Sequence, residues 1–267
     1  MANDGLDVRC KRFEAAEAER QAMPGLPLLA RLDGRAFHTF TRDLRRPYDE
    51  AMSRAMIETT RHVVEQMQAA IGYSQSDEIT LAWYFPASSP TEYPFSGRYQ
   101  KLASVLAGMA TAKFNAEVAR RLPHKAVELP HFDARVWQVP TLTEALEVFI
   151  WREDDATKNS LSMAARAHFT DAEVVGKKTA DKHELLHRVG VNWNDFPAFF
   201  KRGSYLQRRP VSVALSADEL AAIPERHRPP GGVVSRHAVL ELELPPIRKI
   251  TNLADVLFTQ ADPSTGP

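Results

Sequence analysis

The spacing of hydrophobic residues changes in a fixed order along the first 140 residues, and this order constrains the fold more than any other feature. An apolar run at 27–32 predicts a buried strand, and an apolar stripe at helical spacing from Asp49 to Ile71 predicts a helix with Asp49 as its N-cap. Strands at 71–74 and 79–85, a helix at 96–121 and a strand near 134–139 follow. The order β-α-β-β-α-β predicts a ferredoxin-like antiparallel sheet with both helices on one face.

The remainder of the chain has a less regular pattern. Segments 142–151, 158–169 and 171–189 have helical character, and the alternation at 238–244 predicts a half-buried strand. We expect an α+β protein in which a core, residues 1–140, packs as one unit with a largely helical extension, residues 141–267, that adds a strand. The first few residues and the polar tail 261–267 are expected to be disordered.

The composition excludes several kinds of protein. A single cysteine, Cys10, excludes a disulfide framework and a zinc site built on thiolates. No apolar run approaches the roughly 18 residues of a membrane-spanning helix, and the acidic start is not a signal peptide, so we expect a cytoplasmic protein without a membrane partner. The 34 basic and 34 acidic residues give zero net charge. That balance argues mildly against a nucleic-acid partner, although binding depends on local charge.

Three acidic residues stand where the predicted strands meet turns. Asp33 follows the first strand and precedes Gly34, and Asp77 and Glu78 lie in the turn before the third strand. Because the first and third strands are neighbours in such a sheet, we expect Asp33 and Asp77 side by side, where their oxygens suit Mg²⁺. Two such ions about 4 Å apart hold the attacking and leaving oxygens of phosphoryl transfer. The alternative is that these are solvated turn residues.

Five motifs in order add to this pattern. They are 31–41 (RLDGRAFHTFT), 46–49 (RPYD), 72–79 (GYSQSDEI), 95–101 (FSGRYQK) and 132–136 (FDARV). Together they closely resemble the motifs of the tRNA(His) guanylyltransferase family, including its bacterial and archaeal 3′–5′ polymerase relatives, and the likeness extends to Trp151 and Arg152. The resemblance implies a palm like that of polymerases and nucleotide cyclases, in which the 3′-hydroxyl of a nucleotide attacks the activated 5′ phosphate of a tRNA. It also implies GTP and ATP as substrates, tRNA as partner and a homotetramer.

The resemblance also assigns roles to residues at matching positions. Asp33 and Asp77 hold two Mg²⁺ ions with help from the Gly34 carbonyl, and Glu78 supports the site. The segment that forms a triphosphate cradle consists of Gly34, Arg35, Ala36, Phe37 and His38. The further nucleotide or phosphate contacts are Arg46, Asp49, Ser76, Arg98 and Lys101. Arg46 stands where the family has a lysine. The replacement keeps the positive charge but exchanges a compact ammonium for a planar guanidinium, which can donate two parallel hydrogen bonds.

One segment departs from the family's pattern. Eukaryotic members that act on tRNA(His) carry a WRQxDCHINNLYN segment, in which this chain has Thr157 for the histidine and Ser160 for the second asparagine. The departure favours templated repair of 5′-truncated tRNA over addition of a single G. Arg152 and Asn159 are retained and are expected at the RNA 5′ end. Two alternatives stay open: a cyclase-like palm enzyme that makes a small nucleotide product, and a catalytically silent RNA-binding module.

Basic residues cluster after residue 170, which offers local positive charge for RNA. The clusters we assign to RNA contain Lys177, Lys178, Lys201, Arg202, Arg208 and Arg209, with a further cluster at 226–228. The interleaved aromatic residues Trp193, Phe199, Phe200 and Tyr205 are candidates for stacking on unpaired bases. The alternative is that the clusters are solvated faces.

Overall fold

One six-stranded antiparallel sheet forms the centre of the protein. The computed structural model describes residues 5–266, and the strand order in the sheet is β4-β1-β3-β2-β5-β6. In chain order the elements are α1 (Leu6–Ala18), β1 (Leu28–Gly34), α2 (Phe37–Phe40), α3 (Glu50–Met67), β2 (Ile71–Gln75), β3 (Glu78–Trp83), α4 (Tyr99–Arg121), β4 (Phe132–Gln138), α5 (Leu142–Arg166), α6 (Asp171–Val174), α7 (Thr179–Arg188), α8 (Ala198–Arg202), β5 (Ser204–Ala214), α9 (Ala217–Ala222), β6 (Val233–Leu242) and α10 (Leu253–Thr259). The predicted ferredoxin-like core is confirmed, with β1 between β3 and β4.

Helices cover both faces of the sheet. On one face α3 and α4 bury a core that contains Leu32, Leu81 and Phe114, as the predicted placement of both helices on one face requires. On the other face α5 and α10 bury a second core around Phe149 and Val256. Alternate side chains of each central strand therefore enter different cores, and the polar residues at the strand ends remain between the sheet and α5.

The C-terminal extension contributes two strands, where the sequence predicted one. β5 was missed because Arg208, Arg209 and Pro210 interrupt its apolar pattern. It pairs with β2 through residues 204–206 and with β6 along nearly its whole length. The strand predicted at 238–244 begins earlier, at Val233. Since β5 and β6 extend the same sheet as the core strands, the extension and the core share one architecture.

Three predicted helical segments and one prediction of disorder need correction. The segments 142–151 and 158–169 belong to one continuous helix, α5, because the polar residues between them pair along the helix and with β3. Segment 171–189 is two helices, α6 and α7, separated around Gly176, whose φ is +78°. The tail is ordered through residue 266, since the Thr251 N–H donates to the Ser264 carbonyl at 2.8 Å. Residues 1–4 and 267, also predicted to be disordered, lie outside the described residues.

The helices of this fold differ from membrane-spanning ones. Among residues 5–266, no helix combines the length and the apolar composition needed to cross a bilayer.

Candidate active site

The ends of β1 and β3 bring the predicted acidic residues together. Asp33 and Glu78 are directly paired Cα partners across the two strands. The Gly34 N–H donates to the Asp77 carbonyl at 3.0 Å, which fixes the turn before β3 against the end of β1. The predicted side-by-side placement of these two strands is therefore confirmed, and Asp33, Asp77 and Glu78 converge at one end of the sheet.

Asp77 lies in surroundings that disfavour its negative charge. Burial raises the pKa of this carboxyl, and the neighbouring charge of Asp33 raises it further, while a Ser76 hydrogen bond and His38 act in the opposite direction. The carboxylates of Asp33 and Asp77 supply hard oxygen donors, which fit Mg²⁺. Within residues 5–266 no group of three or more His, Cys, Asp or Glu side chains is arranged as a metal cage. A cation here would therefore take its remaining ligands from water, backbone and phosphate oxygens.

Glu78 is neutralised by two arginines. Arg152 of α5 forms a buried ion pair with Glu78, and Arg31 of β1 approaches the same carboxylate at 4.0 Å. Arg152 also lies 3.4 Å from Asp155, whose carboxylate accepts a hydrogen bond from the Asn159 amide at 3.3 Å. Burial lowers the pKa of Arg152. The line of side chains from Asn159 to Glu78 thus connects an exposed position on α5 to the acidic end of β3.

This arrangement corrects one prediction for the RNA 5′ end. Arg152 was expected to contact RNA, but it is only 4% exposed, and its guanidinium forms ion pairs with Glu78 and Asp155. Its position is that of a residue that holds Glu78 in place. Asn159 is exposed and is still accessible for such a contact.

The turn after β1 is shaped by close packing. A Cβ on Gly34 would lie 2.4 Å from the Phe37 ring, so this position accepts only glycine without movement of its neighbours. Phe37 and Phe40 are buried against Phe114, which anchors the short helix α2. Ala36 has φ +56°, a left-handed conformation that starts α2. The amides at the start of a helix have no partners within it, so this segment suits phosphate oxygens.

A pocket of about 570 Å³ opens beside the turn, between α3, α5 and α8. Four residues predicted to bind nucleotide or phosphate line it: His38, Arg46, Asp49 and Ser76. Asp49 also caps α3 as predicted, since its side chain accepts from the Met52 N–H at 3.0 Å. The pocket therefore brings cationic side chains next to Ser76, the residue before Asp77.

Sequence reasoning missed several members of this pocket. Arg42, Arg45 and Arg166 add positive charge to its lining. Tyr48 packs on Phe200 with ring centroids 4.8 Å apart, and it gives the pocket an aromatic wall together with Phe199. Arg42 and Arg45 lie between the motifs that carried the prediction, so their charge was a usable signal. Arg166 ends a helix more than a hundred residues further along the chain and gave no local signal.

Two predicted phosphate contacts lie elsewhere. Arg98 and Lys101 are at the start of α4, where the Tyr99 hydroxyl bonds Gln138, the Cα partner of Leu28 at the opposite end of β1 from Asp33. Leu28 and Asp33 are separated by about 17 Å of strand. The Lys101 ammonium lies 5.1 Å from the Phe95 ring. Within one chain, Arg98 and Lys101 therefore do not share a site with the carboxylates.

Arg135 is a further charged neighbour that received no predicted role. It lies 4.0 Å from Asp33, and it is paired with Arg31 across β4 and β1. Its position two residues after Asp133, the Cα partner of Asp33, places it on the same face as Asp33, because side chains alternate. The strand alternation was the available signal.

The basic clusters of the extension differ in accessibility. Lys177, Lys178 and Arg208 are exposed, whereas Arg209 is bound to Asp262 at 3.2 Å. Lys201 lies 5.6 Å from the Trp193 ring, and Arg202 uses its carbonyl to accept from the Tyr73 hydroxyl. Tyr205 is only 3% exposed and donates to Glu153, so its predicted role in base stacking is wrong for this conformation. RNA contact by the exposed members stays a prediction.

Comparison with known proteins places this site in context. A family model described as tRNAHis guanylyltransferase (Thg1) matches residues 8–140, which include all three acidic residues. A bacterial tRNA(His) guanylyltransferase (Thg1)-like protein in complex with ATP is 31% identical, with a TM-score of 0.78 over 96% of this chain and 99% of that chain.

Two further comparisons agree with this one. A structure described as a bacterial Thg1-like protein in complex with GTP is 30% identical, with a TM-score of 0.72 over 92% and 95% of the two chains. The tRNA(His) guanylyltransferase of Saccharomyces cerevisiae is 27% identical over 242 residues, which cover 82% of this chain and 98% of that protein.

Proposed function

The chain belongs to the tRNA(His) guanylyltransferase family, whose members are nucleotidyltransferases, and on that premise we propose that it adds nucleotides to the 5′ end of tRNA in the 3′–5′ direction. The observation that carries the proposal is the convergence of Asp33 and Asp77 at paired strand ends, beside a cationic pocket. The structures of related bacterial proteins with ATP and GTP support nucleotides as substrates.

In the proposed reaction the 3′-hydroxyl of the incoming nucleotide attacks the phosphorus of an activated RNA 5′ end. One P–O bond forms, and the bond to the leaving phosphate group breaks. Asp33 and Asp77 are the residues that would hold Mg²⁺, with the Gly34 carbonyl as a further proposed ligand. When bound, Mg²⁺ makes the hydroxyl more acidic and neutralises charge on the leaving group.

The protein's own residues bind and orient the phosphates. The amides of residues 36–38 would face phosphate oxygens, since those of Gly34 and Arg35 already donate to the Asp77 and His131 carbonyls. Arg35 would contribute through its side chain, and the Arg46 guanidinium would add positive charge at the pocket edge. Glu78 is paired with Arg152 and Arg31, so it shapes the site rather than adding free negative charge. This division leaves Asp33 and Asp77 as the carboxylates available to a cation.

We further propose templated repair of 5′-truncated tRNA as the main activity. Support comes from Thr157 and Ser160. At these positions the family members that act on tRNA(His) have a histidine and an asparagine. Ser160 is 2% exposed and bonds the Lys201 carbonyl at 3.2 Å, so here it serves packing between α5 and α8. A homotetramer and RNA contacts through the exposed basic residues belong to the same proposal.

Extension of defined RNAs tests this proposal. The protein is incubated with Mg²⁺, labelled nucleoside triphosphates and tRNA that lacks its first 5′ nucleotide, beside intact tRNA(His) and a control without RNA. We expect extension of the truncated tRNA. Addition to intact tRNA(His) alone would overturn the repair assignment. A small nucleotide product that forms without RNA would support a cyclase-like enzyme and overturn the polymerase assignment.

A further inference from the structure

Trp151 is an exposed aromatic residue at the edge of the active site. It lies on α5 between the buried core residue Phe149 and the ion pair of Arg152 with Glu78, yet it remains 53% exposed. An indole that is left in water beside a polar site gives up the burial that favours large apolar side chains.

The indole is held by the arginines that surround the acidic residues. The Arg152 guanidinium lies 4.8 Å from the ring centroid, and that of Arg31 lies 6.0 Å away. Both arginines contact Glu78, whose Cα partner is Asp33. The ring is therefore oriented before any ligand binds, which lowers the ordering cost of a stacked contact.

Trp151 lies apart from the pocket between α3, α5 and α8. It does not line that pocket, whose α5 members begin at Ser160. Trp151 and Ser160 are separated by about 14 Å along the helix axis. Instead, Trp151 contacts Arg31, whose Cα partner in β4 is Arg135, the arginine that approaches Asp33. A nucleotide in that pocket would leave the Trp151 side of the carboxylates for the other reactant.

We propose that Trp151 stacks on the base of the 5′-terminal nucleotide of the acceptor RNA. The inference rests on the proposed function, because it takes the second reactant to be an RNA end. An aromatic platform binds any base through its π-face. Such a contact suits repair of RNA ends that differ in sequence, and Arg31 and Arg135 supply positive charge for the adjoining phosphates.

A binding cycle tests the proposal without turnover. Affinity is measured by fluorescence anisotropy for a 3′-labelled acceptor-stem RNA that lacks its first 5′ nucleotide, and for the same RNA with an abasic 5′-terminal residue. The full-length protein is compared with Trp151→Ala, Trp151→Phe and Phe13→Ala, the last being an exposed aromatic on α1 that serves as matched control. The KM for GTP is measured in parallel.

We expect Trp151→Ala to weaken binding of the RNA with an intact 5′-terminal base about tenfold. Its affinity for the abasic RNA should change less than about twofold. Trp151→Phe should retain most of the affinity, and Phe13→Ala should leave the affinity for both RNAs unchanged. Equal loss for both RNAs, no loss for either, or a rise in only the KM for GTP overturns the stacking proposal. If the wild-type protein binds and extends RNA but Trp151→Ala changes neither affinity, the stacking proposal is refuted and the proposed function is not. Failure of the wild-type protein to bind either RNA refutes the proposed function as well.

Discussion

Arg152 on α5 forms a buried ion pair with Glu78 at the start of β3, and this pair joins the C-terminal extension to the acidic end of the core sheet. The guanidinium Nε of Arg152 has no hydrogen-bond partner within the part of the chain that the structure describes. The pair therefore depends on its terminal nitrogens. It places α5, and with it Trp151 and Asn159, at a fixed position over the carboxylates.

Removal of one member of this pair leaves a buried charge without its partner. We expect Arg152→Met to lower the free energy of unfolding by about 3–5 kcal/mol, because the Glu78 carboxylate then loses its main counter-charge. Urea unfolding measures the change. The double variant Glu78→Gln with Arg152→Met should recover much of the loss. A double variant as unstable as the sum of the single variants would contradict an interaction between the two side chains.

The sequence predicted the centre of the fold better than its extension. Strands β1, β2 and β3 and helices α3 and α4 have regular apolar spacing, and the motifs with Asp33 and Asp77 lie at their ends. Arg152 was misplaced because a lone arginine in a helical pattern does not reveal which strand residue it meets. β5 was missed because no residue of its outer half, from Arg208 to Ala214, is buried, so this half lacks the buried apolar face whose alternation predicts a strand.

We expect the negative charge of Asp77 to destabilise the protein when no metal is bound. Folding raises the pKa of this carboxyl through burial and then through Asp33. Its contribution to stability is fully present below the unfolded pKa and is lost as the pH rises through the folded pKa. At pH 7 without metal we therefore expect Asp77→Asn to raise Tm by about 2–4 °C.

The effect of Mg²⁺ on Tm tests whether Asp77 binds the metal. Millimolar Mg²⁺ should raise Tm of the wild-type protein and have a much smaller effect on Asp77→Asn. Turnover of this variant should fall more than about a hundredfold. Asp218→Asn, at an exposed carboxylate on α9, serves as control and should behave as wild type. An equal Mg²⁺ response in wild type and Asp77→Asn would remove Asp77 from the metal site.

Gly34 is required by the Phe37 ring. A methyl group at this position would lie 2.4 Å from the ring, so we expect Gly34→Ala to lower the free energy of unfolding by about 1–3 kcal/mol and to reduce activity. At Gly108 in α4 an added methyl group would meet nothing within 4 Å, and Gly108→Ala should stabilise by about 0.5–1 kcal/mol. Thermal denaturation of both variants measures the contrast. A neutral Gly34→Ala would show that the turn tolerates a side chain.

Glu117 on α4 has a separate pH dependence. Burial opposes its ionisation, but hydrogen bonds from Lys113, Arg120 and Arg121 outweigh burial and lower its pKa to about 2. The stability from this carboxylate is present above the unfolded pKa and is lost as the pH falls toward the folded value.

We therefore expect Glu117→Gln to cost about 1–3 kcal/mol at pH 7 and progressively less below about pH 4, in urea unfolding at several pH values. Glu184→Gln removes an exposed pair with Arg188 and should cost less than about 0.5 kcal/mol at any pH. A Glu117→Gln difference that does not change with pH would exclude the carboxylate's charge as its source.

Use of a nucleotide without a 3′-hydroxyl tests the direction of synthesis most directly. In the proposed reaction that hydroxyl is the nucleophile, so 3′-deoxy-GTP, which keeps only its 2′-hydroxyl, lacks the group that attacks the RNA 5′ end. The protein is given Mg²⁺ and 5′-truncated tRNA that carries a 5′-triphosphate, with either GTP or 3′-deoxy-GTP, so that pyrophosphate is the leaving group in both reactions. We predict 5′ extension with GTP and no incorporation of 3′-deoxy-GTP. Incorporation of one 3′-deoxy-GTP residue followed by termination would contradict 3′–5′ addition.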